Sequence, residues 1–234
     1  GGGVKLSKGK SLGKFLAFTL AEVLITLGII GVVASLTIPT LMQNTQKHQT
    51  VVALKKTYST IQQAVARSRV DNGDVPDWDW SLDLSTFLKT YLIPYLSISK
   101  DCGQNNDVKG ECSLLSKKWL DGENLDYFAT NHYKILLSDG TSIAFYSEPP
   151  YICVNIIVDI NADKKPNIAG KDVFFLKLYK QRNSPDFIDY NTTRNEALHD
   201  GLFGCRKDIS EHAGLLCGRL ILLDGWQIKD DYPW

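Results

Sequence analysis

Three groups of residues in this 234-residue chain have side-chain types and spacings that support chemistry. The first is the run Asp159-Ile-Asn161-Ala-Asp163-Lys-Lys-Pro166-Asn167-Ile-Ala-Gly170-Lys-Asp172. Oxygen-bearing side chains alternate at Asp159, Asn161 and Asp163, as a calcium-binding turn requires, and Asp172 follows where it can close the shell. The EF-hand signature is not met: Gly170 falls where a bidentate Glu belongs and Lys164 where a Gly belongs. Two readings stand side by side. One is a structural calcium ion held by Asp159, Asn161, Asp163 and Asp172; the other is a solvated turn fixed by Asx hydrogen bonds and Pro166.

The second group is the five cysteines, Cys102, Cys112, Cys153, Cys205 and Cys217. Cys102 and Cys112 bracket a short polar stretch, as do Cys205 and Cys217, and local pairs of this kind are expected disulfides in an exported domain. Cys153, inside the apolar run YICVNIIV, is read as a buried thiol outside both pairs. There is no CxxC spacing, and His48, His132, His199 and His212 do not cluster with the cysteines, which argues against zinc. A nucleophile elbow, an HExxH and a phosphate-binding glycine loop are also missing, so no catalytic residue is assigned and the chain is read as a non-enzyme.

The third group is a single carboxylate, Glu22. From Phe18 to Thr40 the chain runs 23 residues that are almost all apolar, and Glu22 is their one charge. About 20 helical residues cross a hydrocarbon core about 30 Å thick. An acid in such a helix costs a few kcal/mol unless paired, and it therefore reads as functional. Ahead of it, residues 1–17 carry Lys5, Lys8, Lys10 and Lys14 and no acid, which holds this end in the cytoplasm and sends the rest outward. A secretory signal has its small-residue cleavage site after the apolar run; here the small residue, Ala17, precedes it.

In these residues the chain resembles the type IV prepilin family, which includes type IV pilins and the pseudopilins of type II secretion. In that family a basic leader is cut just ahead of the apolar helix, the new first residue is usually Phe and is N-methylated, and the fifth is Glu. Phe18-Thr-Leu-Ala-Glu22 has that spacing, and Pro39 stands at the twenty-second mature position, where such helices commonly carry a proline. Ala17 replaces the usual Gly, and cutting instead at Gly13 would put Phe18, not Glu, at the fifth position. The resemblance implies cleavage between Ala17 and Phe18 by a prepilin peptidase that also methylates. It implies that Glu22 pairs with the Phe18 amine of a neighbouring subunit during assembly. The product would be a structural subunit of a type IV pilus or a secretion pseudopilus. Its partners would be copies of itself in a filament, an inner-membrane assembly platform, minor pilins or pseudopilins, and membrane lipid before assembly. Major pseudopilins bind calcium in a loop of the β region, to which the Asp159–Asp172 run is similar. The alternative is a membrane-tethered periplasmic enzyme or a bitopic binding protein unrelated to filaments.

The elements expected to position these groups follow from periodicity. The divisions are a basic leader at 1–17, read as truncated at its front because no Met begins it, a transmembrane or filament-core helix at 18–42, its amphipathic continuation at 43–72, and a globular head at 73–234. Val51, Leu54, Tyr58, Ile61 and Val65 recur at helical steps, opposite Lys47, Lys55, Lys56, Gln63 and Arg67. Asn72-Gly73 is the stop, and Pro39 predicts a bend or melted turn. Ser81–Leu96 reads as a short helix broken at Pro94. Tyr133–Leu137, Asp139-Gly140 and Thr141–Tyr146 read as a hairpin, and Tyr151–Ile160 and Val173–Tyr179 as further strands. Leu215–Leu223 reads as a strand or buried segment, and Asn191–Asn195 as an exposed loop. The expected fold is α+β and pilin-like: a long N-terminal helix, its first half membrane-spanning, packed on a small antiparallel sheet of three or four strands. Lys plus Arg equal Asp plus Glu at 26 each, so a surface built for DNA is not indicated.

Overall fold

The computed structural model describes residues 19–104, 117–125, 132–147, 152–162, 164–188, 191–209 and 212–234. The chain divides into two compact units, residues 1–45 and 46–234. Helix α1, Leu20–Asn72, contributes to both. Its first part is long and apolar enough to cross a membrane by length and composition, and none of its most apolar window is buried. The melted turn expected at Pro39 is not there: the helix runs through it unbroken. A proline removes one N–H from the ladder, and nearby hydroxyls bond to the backbone, Ser35 to the Val32 carbonyl and Thr37 to the Val33 carbonyl, at 2.8 and 3.0 Å.

In the second unit the helix buries Val51, Leu54, Ile61 and Val65, while Lys55, Lys56, Gln63 and Arg67 stay exposed, as the stripe predicted. Gly73 ends it in the left-handed conformation at φ 79°, its N–H donating to the Arg69 carbonyl. The stripe lies on the head through Tyr58, stacked on Phe187 with centroids 5.2 Å apart, and from the charged side of the helix Lys56 pairs with Asp139 at 2.9 Å. Trp78 and Trp80 are buried; Trp78 stacks on Tyr91 of the short helix α2, Leu84–Tyr91, whose N-cap is Asp83. Pro94 falls in a separate 3-10 turn, Ile93–Tyr95.

Among the described residues the sheet has six strands, more than the three or four expected, in the order in which they occur: β1 Ile98–Gln104, β2 Tyr133–Leu137, β3 Ser142–Tyr146, β4 Cys153–Asp159, β5 Val173–Tyr179 and β6 Asp186–Phe187. Every neighbouring pair is antiparallel. Gly140, at φ 88°, turns the β2–β3 hairpin and puts Ile135 opposite Ile143. Strands β2 to β5 are buried at nearly every position, so they are covered on both faces. The α1 stripe is one cover, and Trp119, stacked on Phe175 at 5.4 Å, belongs to another. Edge strand β1 is mostly exposed and has two register shifts against β2.

Two sequence expectations near the C-terminal end hold in part. Leu215–Leu223 is mostly buried, as one alternative had it, but it contains helix α4, Cys217–Leu223, and no strand. Asn191–Asn195 is only partly loop, because Thr193 caps helix α3, Arg194–His199, by a reciprocal box with Glu196.

Candidate functional site

The calcium-like run connects β4 to β5. Asp159, the last residue of β4, pairs in register with Val173, the first of β5, and this fixes both ends of the loop. Within it Ala162 and Asn167 both take φ 57° and Gly170 takes φ 80°. Asn adopts this left-handed region readily, whereas Ala does so at a cost of about 1 kcal/mol. Asp163 lies outside the described residues.

Both described carboxylates are buried and both have donors. Asp172 accepts the Ile168 N–H on Oδ1 and the Asn167 N–H on Oδ2, each at 2.7 Å. Burial pushes its carboxyl above the ordinary range, and these two bonds oppose the rise. Asp159 accepts the Asn161 N–H on Oδ1 at 3.1 Å and the Lys117 ammonium on Oδ2. Burial raises Asp159 to about 7 against the pull of Lys117. The Lys117 and Asp159 side chains are 0 % and 1 % exposed, so this is an ion pair removed from water. Sequence reasoning missed Lys117: it precedes Asp159 by 42 positions, and no spacing rule links the two.

The amides of the loop converge on the same place. In one orientation the Asn161 nitrogen donates to Asp172 Oδ2 at 3.3 Å. Its oxygen then faces the Lys164 carbonyl, Asp159 Oδ1 and the Ala162 carbonyl at 2.8, 3.0 and 3.1 Å. Asn167 likewise turns its amide oxygen to the carbonyls of Lys164 and Ala162 at 3.2 and 3.3 Å. In the other orientation the two amide nitrogens face inward and donate to these oxygens. In that orientation the loop is closed by its own amides. Among the described residues, no three His, Cys, Asp or Glu side chains form a metal-holding group.

The loop is also where distant segments meet. The Lys118 N–H donates to the Asn167 carbonyl and the Ala169 N–H to the Lys118 carbonyl, both at 2.8 Å, and Tyr232 donates its hydroxyl to the Gly170 carbonyl. Cys205 and Cys217 form the expected disulfide, with Cα atoms 4.6 Å apart. A Cβ at Gly170 would stand 2.6 Å from Cys217 Sγ, so only glycine fits there.

The other expected sites are more dispersed. Cys102, in β1, is disulfide-bonded, while Cys112, its expected partner, lies outside the described residues, as do Ala17 and Phe18. Glu22 opens α1 in a capping box: its carboxylate accepts the Thr19 N–H and hydroxyl, both at 2.8 Å, and its own N–H donates to Thr19 Oγ1 at 3.2 Å. The Thr19-x-x-Glu22 spacing is the signal that could have revealed this second role.

Fold and site together define a class, an α+β head built on the second half of one long helix whose first half is apolar and uncovered. The chain belongs to a family of unknown function, DUF6613, whose model matches residues 40–234. No curated protein and no solved structure matches it. The family match therefore covers the head and begins where the stretch bearing the prepilin resemblance ends.

Proposed function

We propose that this chain is a structural, non-catalytic subunit of a pilus-type or pseudopilus-type filament, held in the inner membrane with its head outside until it is assembled. One observation carries the reading. A single helix of 53 residues is buried on the head along its second half, while along its first half it exposes Leu24, Ile25, Leu27, Ile29, Ile30 and the apolar residues beyond. A soluble monomer does not leave such a surface in water. Lipid before assembly and other copies afterwards are the covers that the prepilin resemblance implies. Glu22, with its carboxylate at the first turn, can keep the Thr19 bonds and still accept a charged amine from a neighbouring copy, because a carboxylate has about four lone-pair sites.

The test is Glu22→Ala in cells with the prepilin peptidase and platform. The variant should insert and begin at a methylated Phe18, yet enter filaments poorly. An uncut leader in the parent chain would sink the prepilin reading, and normal incorporation of the variant would sink the pairing role.

A second proposal concerns the β4–β5 loop. It takes calcium as a structural ion with the expected ligands Asp159, Asn161, Asp163 and Asp172, and the burial of two carboxylates, Asp159 and Asp172, in one loop supports it. With the ion at 100 times its dissociation constant, stability should rise by about 2.7 kcal/mol. An identical melting temperature in chelator and in millimolar calcium would mean that the amides close the loop by themselves.

A further inference from the structure

Beside this loop is an open groove of about 580 Å3, walled on one side by Gln46 and Gln49 of α1 and on the other by Lys165, Lys171 and Trp234. Its floor is fixed where the Thr50 hydroxyl donates to the Lys171 carbonyl at 3.0 Å. The lining is short of negative charge. Among the described residues Asp172 is the one side-chain carboxylate on its wall, and that group is turned to the backbone N–H groups of Asn167 and Ile168. Among the described residues neither Lys165 nor Lys171 enters an ion pair; Lys171 is half-buried, with its ammonium 6.0 Å from the centre of the Trp234 ring.

Two cations, two amides and an indole ring suit a phosphate attached to a partly apolar body. Chain connectivity says where such a body is found. Gln46 follows Met42 by four residues, which span at most about 14 Å at full extension. If the apolar segment spans a bilayer, this end of the groove is therefore held near the headgroup layer, itself about 5–8 Å thick on each side. Indole rings and lysines concentrate at that depth.

We propose that this groove binds the phosphate headgroup of an anionic phospholipid while the subunit waits in the membrane. The inference rests on the membrane-anchored reading above. The test uses the full chain in neutral detergent micelles, with phosphatidylglycerol or phosphatidylcholine added and bound lipid counted by native mass spectrometry. Phosphatidylglycerol should be preferred, and Lys165→Gln with Lys171→Gln should reduce that preference about thirtyfold, at about 1 kcal/mol per lysine. Equal retention of the two lipids, or an unchanged preference in the double variant, overturns the proposal. Displacement of the lipid by equimolar inorganic phosphate also overturns it, since the anion would then come from solution. Flotation of the chain with pure phosphatidylcholine vesicles reports on the anchor separately: a chain that floats yet shows no lipid preference keeps its anchor and loses this site.

Discussion

The two halves of α1 share one helical geometry and carry opposite burdens. Leu27 is 60 % exposed and Leu54 is 0 % exposed, although both are leucines of the same helix. The first half is apolar all round and carries Glu22 alone; the second is apolar on one stripe and charged on the other. A helix apolar on every side must find its cover outside its own head, and one with a stripe has already found it. What this helix does is therefore written in the width of its apolar surface, since propensity and length are common to both halves.

That contrast can be broken in graded ways. The largest effect is expected outside the helix, at the buried pair that anchors the loop. Lys117→Met leaves the Asp159 carboxylate without its cation and should cost about 3–5 kcal/mol, read as a loss of head stability in denaturant melts. Leu54→Ala should cost about 2–5 kcal/mol on the same measurement, whereas Leu27→Ala should leave the head melt unchanged. Equal effects of the two leucine changes would erase the distinction between the halves.

A titration sharpens the picture of the loop. On the calcium proposal the ion needs an ionised Asp159, whose carboxyl burial holds at about 7, so any melting gain from calcium should shrink as pH falls from 8 to 6. In chelator the sign reverses. A carboxyl whose folded value lies above its unfolded value stabilises the protonated head, and that contribution is lost as pH rises through about 7. Parallel pH curves with and without calcium would remove Asp159 from the ligand set. The smallest effect is at a cap: Thr193→Ala should cost about 1 kcal/mol, and rescue by Thr193→Ser would assign it to the hydroxyl.

Much of the fold was legible because the relevant signals are local. The helix stripe, the Asn72-Gly73 stop and the Asp139-Gly140 hairpin each rest on residues within a few positions of one another. So does the bond between Cys205 and Cys217. Strand β1 was not legible, because its sequence, ISKDCGQ, has no alternation and its pairing is carried by bulges on an exposed edge. Helix α4 was misread because CGRLILL is too short and too uniformly apolar for period to separate helix from strand. The candidate site was half legible. Asp159, Asn161 and Asp172 do meet, while Lys117, Tyr232 and Cys217 reach the loop from far along the chain and leave no mark near it.

The sheet follows chain order from β1 to β6, so each strand can pair with the one made just before it. The final contacts are of another kind. The Tyr232 hydroxyl on the Gly170 carbonyl and the Cys217 sulfur against Gly170 come from the last part of the chain and close over a loop formed much earlier. Such a latch makes the closure of the loop wait on residues made long after it. A chain interrupted before Tyr232 could lay down strands β1 to β6 and still lack the closure.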